Sequence, residues 1–345
     1  MEKNKQMKWL NFAKLAAIIA VITDHTNGYL YSNQDIAKAS YFSVSLFIII
    51  SGMTSYLSNL KREETWIESI IRNCKKICIA YIISAVIYEI IRFNSFDFSS
   101  YLNRLVYFRA SLPHYYVLLY IQLMIANRIL FNLIKKFESS KYSVLFEIIT
   151  FLIIVIISSY TTRYTNILNV YGGGGRVFGG TYLIIYYLGM LIMKYKIFEK
   201  TSYLKSITCF VGGSIAWFIW WRYLCETGSI VDSYFPFGNG KNPPGVSLMV
   251  LGTFTLFACY GFFTLLEKIK FASILVDLIS WLGNRTLYIF LYHSLFLKYF
   301  LIPYFYLQNI WIMRIVVFSI IFVGSLLLEY VIEIAIKNFN KLMEV

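Results

Sequence analysis

Apolar residues in this chain neither alternate with polar ones nor recur at helical spacing. They run on in blocks of about twenty residues, separated by short charged stretches, and that is the length a helix needs to cross the hydrocarbon of a bilayer. The blocks predict ten spans, at 9–31, 39–60, 77–93, 115–134, 142–160, 177–194, 203–223, 246–267, 286–306 and 311–336. Only helices and closed barrels satisfy their backbone in lipid, and continuous rather than alternating apolar runs select helices. The expected fold is therefore all-α, a polytopic transmembrane helical bundle forming a single domain over 1–345. No Pro- or Ser-rich linker, low-complexity tract or internal repeat divides it. The first block is long and lacks a small-residue cleavage site, so it is predicted to stay as a span. The stretch 268–284 is too polar to cross and is predicted to lie along the inner surface as an amphipathic helix.

Composition agrees: 58% of residues are hydrophobic and 14% charged, where soluble domains carry about a quarter charged. The net charge of +14 would suit nucleic acid, but its placement argues against that partner. The loops that share a side with the N-terminus hold 20 of the 32 Lys and Arg residues. The opposite loops and span edges hold nine, and Lys14, Arg128 and Lys298 fall within spans. The positive-inside rule makes the basic side cytoplasmic and puts both termini there. Cys74, Cys78, Cys209, Cys225 and Cys259 have no metal-ligand spacing, so neither a metal site nor a structural disulfide is expected.

Polar residues inside a span are costly and so become functional candidates. In the first span, Lys14 and His25 are eleven residues apart, which returns to within about 20° of one face, some ~16 Å along the axis. One stripe then carries a cation toward the inner surface and an imidazole toward the outer half. Asp24, adjacent in sequence, is a candidate to set the His25 tautomer, while Lys14 has the alternative of snorkelling to headgroups. Arg72 and Lys76, with Lys75 between them, project from one helical face and suit either a phosphate-bearing ligand or topology anchoring. His114, before the fourth span, resembles an interfacial belt residue, and His293 lies mid-span. Glu89 and Glu147 within spans are placed for proton-relay or ion-pair contacts, which keeps a transporter reading open. Two outer loops offer places for a substrate: Tyr171–Arg176, with four glycines before Arg176, and Cys225–Gly245.

Taken in order, these segments resemble the acyltransferase-3 family of integral membrane O-acyltransferases. Lys14 and His25 match that family's basic residue and catalytic-type His in the first span. Phe47-Ile48-Ile49-Ile50-Ser51-Gly52 is similar to its "FF-x-x-SG" segment, and Arg72-x-x-x-Lys76 to its Arg-x-x-x-Arg. His114-Tyr115-Tyr116 and Leu291-Tyr292-His293 correspond to further short motifs, so the likeness runs through most of the chain. Lysine stands where arginine is usual at Lys14 and Lys76, keeping the charge but losing bidentate phosphate geometry.

The resemblance implies transfer of an acyl group, usually acetyl, from cytoplasmic acyl-CoA to a hydroxyl of a surface glycan or its lipid-linked precursor. Acetyl-CoA is then a substrate, and no cofactor is bound. It implies His25 as general base oriented by Asp24, or as covalent acyl carrier. Lys14, Arg72, Lys75 and Lys76 would hold CoA phosphates, with His114, Arg176 and His293 supporting or on the acceptor side. The expected location is a bacterial cytoplasmic membrane. The rivals are a transporter driven through Glu89 or Glu147, and a binding or sensing platform without turnover.

Overall fold

Wherever the chain is described, its apolar blocks are helical. The structure is a computed structural model that describes residues 7–93, 96–164, 182–199, 202–228, 230–235, 241–302 and 311–343. Among these there are no strands beyond isolated bridges at Asn27–Tyr31 and Lys241–Pro244. In chain order the helices are α1 (Lys8–His25), α2 (Gln34–Ser40), α3 (Ser43–Leu60), α4 (Trp66–Phe93), α5 (Phe98–Val106) and α6 (Tyr115–Glu138). They continue with α7 (Ser143–Tyr164), α8 (Tyr182–Lys194), α9 (Tyr203–Thr227), α10 (Val246–Leu266), α11 (Ser273–Asn284), α12 (Thr286–Leu295) and α13 (Trp311–Met343). A π-helical stretch, Phe296–Leu301, extends α12.

Six helical stretches are long and apolar enough to cross a membrane, and a seventh follows if the α11–α12 pair, bent by 65°, is one span. Exposure supports that environment. Ile148, Leu152, Ile156, Ile215, Ile219, Ile312, Leu327 and Val331 on α7, α9 and α13 all point outward, which only a nonpolar surrounding tolerates in such numbers. The α3 and α10 helices bury more than half of their apolar stretch. At the centre, α1 packs against α3, α10, α11 and α12.

Small residues set the closest crossings. A Cβ on Gly52 of α3 would overlap the Tyr186 carbonyl of α8, and one on Gly189 of α8 would overlap the Ile49 carbonyl of α3. Backbones can approach that closely only where both sides lack side chains, the usual device of helix pairs in lipid. Gly283 at the end of α11 lies in the same way against the Asn11 backbone of α1. Asn11 also donates to Ser280 at 3.0 Å and Lys8 pairs with Asp277 at 2.7 Å, so the polar helix expected near 268–284 is fastened along α1.

Boundaries differ from expectation in two places that matter for the site. The first helix stops at His25 rather than reaching residue 31, because Gly28 adopts φ +85° and turns the chain back. The third predicted span, 77–93, is the latter part of a longer helix that begins at Trp66. Its start is a reciprocal cap: Glu68 Oε2 accepts from Thr65 N–H at 2.9 Å and Thr65 Oγ1 accepts from Glu68 N–H at 3.3 Å. Arg72 and Lys76 therefore sit within a continuous helix, not at its entry.

Candidate active site

His25 occupies the last turn of α1, and the chain reversal after it leaves its ring partly exposed. Its partner is His293 on α12, which is fully buried. Their rings stack with centroids 4.9 Å apart, and His25 Nδ1 lies 2.8 Å from His293 Nε2. The second nitrogen of His293, Nδ1, is 2.7 Å from the Phe290 carbonyl. A carbonyl only accepts, so His293 Nδ1 carries a hydrogen and, in the neutral ring, Nε2 is the acceptor. His25 Nδ1–H must then be the donor to it. The remaining nitrogen, His25 Nε2, is left with its lone pair, and no hydrogen bond engages it among the described residues. The geometry thus fixes one tautomer in each ring and ends in a base.

Asp24 has a different employment from the one expected. Its Oδ1 receives Lys241 Nζ at 2.6 Å, and His293, not Asp24, holds His25 Nδ1. Lys241 also lies over the Tyr41 ring at 3.8 Å from the centroid. Burial works against its charge, but the Asp24 carboxylate and Tyr41 outweigh that and raise its pKa above the ordinary lysine value. Lys241 belongs to the loop before α10, which is pinned further by Asp232, whose carboxylate accepts from Ser247 N–H and Oγ, each at 2.7 Å. The loop is thereby tied over the His25 end of α1.

A cavity of about 300 Å³ opens among α1, α3, α4, α6, α11 and α12. Lys14 and Lys76 stand on its wall with Ser51, Thr54, Asn73 and Asn284, and Phe47, Tyr116 and Phe290 form its aromatic part. Tyr116 and Phe290 approach to 5.1 Å between centroids. Phe290 joins the two regions: its ring lines the cavity while its carbonyl fixes the His293 tautomer. Lys14 makes no hydrogen bond or ion pair among the described residues, so its ammonium is available to whatever fills that space.

The other expected residues divide. Arg72 pairs with Glu64 at 3.2 Å, one turn from Lys76 on the same helix, and Lys75 is exposed and does not line the cavity. His114 does not face out of the bundle as a belt residue would. It is fully buried, with Nε2 3.2 Å from Ser84 Oγ and the rings of Tyr81 and Tyr88 edge-on at 5.1 and 5.2 Å. Tyr88 in turn donates to the Leu291 carbonyl at 3.2 Å, so His114 supports α12 through α4. Arg176 and its glycine-rich loop lie outside the described residues. Residues not anticipated as part of the site are Lys241, Phe290 and Asn284. Among the described residues, no cluster of His, Cys, Asp and Glu is arranged to hold a metal ion.

The carboxylates that a transporter would use are both neutralised by close partners. Glu89 takes Arg104 through two oxygens, at 3.0 and 3.1 Å. Glu147 takes Lys194, and Tyr195 donates to its second oxygen at 2.5 Å.

Comparison with known proteins adds one finding. A search of curated proteins and a search of solved structures each returned no match. The family model described as "Acyltransferase domain", of the acyltransferase-3 type, matches residues 7–334. That range takes in α1 with His25, the cavity and α12 with His293, and with the apolar helices it makes this a multi-pass membrane protein: the chain belongs to the acyltransferase-3 family of membrane acyltransferases.

Proposed function

We propose that this protein is a membrane O-acyltransferase that carries an acetyl group from cytoplasmic acetyl-CoA to a hydroxyl of a cell-surface polysaccharide or its lipid-linked precursor. The single observation that carries the reading is the pairing of a cation-lined cavity with a histidine relay through one residue, Phe290. Ten spans with both termini cytoplasmic, in a bacterial cytoplasmic membrane, put the Lys14 end of α1 on the donor side and His25 toward the acceptor. Lys14 and Lys76 then meet the phosphates of the donor, with Arg72 and Lys75 adding positive charge on the same stretch of α4.

His25 Nε2 takes the proton of the acceptor hydroxyl as the oxygen attacks the thioester carbonyl. The carbon–sulfur bond breaks, and the departing CoA sulfur receives that proton from His25. As His25 becomes charged, His293 Nε2 accepts a stronger hydrogen bond from its Nδ1–H. His293 acts here through orientation, and Asp24 by holding Lys241 and its loop beside the His25 end of α1. The engagement of Glu89 by Arg104 and of Glu147 by Lys194 speaks against ion-coupled transport.

The test compares surface-glycan O-acetylation by proton NMR in cells with wild-type protein, with His25→Ala, and with no copy. Ester signal with wild type alone is the expected result. Equal acetylation in all three, with both proteins inserted in the membrane, would remove the enzyme reading for that glycan.

A further inference from the structure

The end of α4 remote from Arg72 carries a second basic constellation that the acyl-transfer chemistry does not use. Arg92 lies twenty residues beyond Arg72 on the same helix, about 30 Å along the axis. A cavity of about 320 Å³ there is lined by Arg92, Ser100, Asn103, Arg104 and Arg109. Arg104 is held from behind by its two contacts with the buried Glu89. Asp97 is occupied as the cap of α5, accepting from Ser99 N–H at 3.1 Å and Ser100 N–H at 3.3 Å. Three guanidinium groups thus line one space, with Ser100 and Asn103 between them, a local concentration of positive charge.

The turn that delivers Arg109 is built for it. Phe108 adopts φ +53°, a left-handed conformation that costs a non-glycine residue about 1–2 kcal/mol. The turn folds Arg109 N–H back onto the Arg104 carbonyl at 2.8 Å. Tyr81 of α4 holds the strained turn, stacking on Phe108 at 4.9 Å and donating to the Leu105 carbonyl at 2.8 Å. On its other side α5 is greasy: Phe98, Leu102 and Val106, four residues apart, are 62%, 40% and 58% exposed. A short helix with an outward apolar stripe and a basic cavity against it fits a lipid surface, with the stripe in the acyl boundary and the arginines at headgroup depth.

We propose that Arg92, Arg104 and Arg109 form a binding site for the phosphate of a membrane lipid, of the class that carries a lipid-linked acceptor. Guanidinium groups match phosphate oxygens in charge and in their forked geometry, which a lone lysine does not. The site lies at the end of α4 that follows Tyr88, whose hydroxyl holds the backbone of α12 two residues before His293. The lipid anchor and the His25 base therefore share a side of the bundle. That the lipid delivers the acceptor rests on the acyltransferase reading above; the phosphate site does not.

The test uses the purified full-length protein in phosphatidylcholine nanodiscs, with polyprenyl phosphate, the matching polyprenol and inorganic phosphate as probes. Wild type should bind polyprenyl phosphate about tenfold or more tightly than polyprenol, the loss expected when charge-assisted hydrogen bonds are removed. Arg92→Gln with Arg109→Gln, both exposed positions, should abolish that preference, whereas His25→Ala should leave it intact. The double lysine variant should retain part of it. Equal binding of alcohol and phosphate, or no effect of the glutamine pair, would overturn the site. Inorganic phosphate binding as tightly as the lipid would overturn the lipid assignment. Acyl transfer by wild type without the phosphate preference sinks this proposal alone, and the preference without acyl transfer sinks only the catalytic reading.

Discussion

Two buried polar constellations in this protein have opposite ends. Around Glu147, both carboxylate oxygens are occupied: Lys194 and Ser143 meet one, Tyr195 the other, and Lys194 also donates to Ser143 at 3.0 Å. Around His25, a chain of donors and acceptors runs from the Phe290 carbonyl through His293 and stops at a lone pair that no described residue engages. The first is closed and joins α7 to α8, which accounts for it as structure. The second is open at one atom, on a residue that is only partly buried. A saturated cluster stabilises; one that ends in an unused base has a task outside itself.

This contrast is sharpened by substitutions that should separate stability from turnover. The largest effect is expected at His25→Ala, with acyl transfer reduced about 10³-fold or more while the purified protein retains its thermal transition. Lys194→Met should do the converse. Leaving Glu147 buried and unpaired destabilises by about 3–5 kcal/mol, lowering the unfolding midpoint, while the folded fraction keeps its kcat. A fall in kcat at unchanged stability would break the comparison. His293→Ala should cost about 10²-fold in kcat by freeing the His25 tautomer. His293→Gln, whose amide oxygen can still accept from His25 Nδ1, should recover part of it and restore the pH profile. The smallest effect is expected at Lys14→Ala, a rise of about tenfold in KM for acetyl-CoA, worth about 1.4 kcal/mol, with little change in kcat. Lys14→Arg should reverse it, since arginine offers two donors to a phosphate.

Helix identity was legible because membrane helices announce themselves by length. Their starts were less so. The opening of α4 is polar, Trp66 to Lys76, so an apolar window begins only at residue 77; the Thr65-x-x-Glu68 cap was the available signal. Gly28 likewise marked the true end of α1. His25 stood out in the sequence as a costly polar residue, but its partner is 268 positions away, a pairing that no periodicity encodes. Asp24 was the nearer candidate, yet consecutive residues on a helix point about 100° apart, and Asp24 turned to Lys241 instead. His114 reads as an outward-facing belt residue because its own neighbours are aromatic; the rings that bury it, Tyr81 and Tyr88, come from another helix.

The eleven residues between Lys14 and His25 make α1 a ruler. A helix under backbone tension and compression keeps its rise of about 1.5 Å per residue, so the two marks stay roughly 16 Å apart whatever the donor. On the proposed reading, a thioester whose arm is too short cannot place its anionic end at Lys14 and its carbonyl at His25 together. Truncated donors lacking the nucleotide would then react without help from the cation. Selection would fall on the length of the carrier before it fell on the identity of the acyl group.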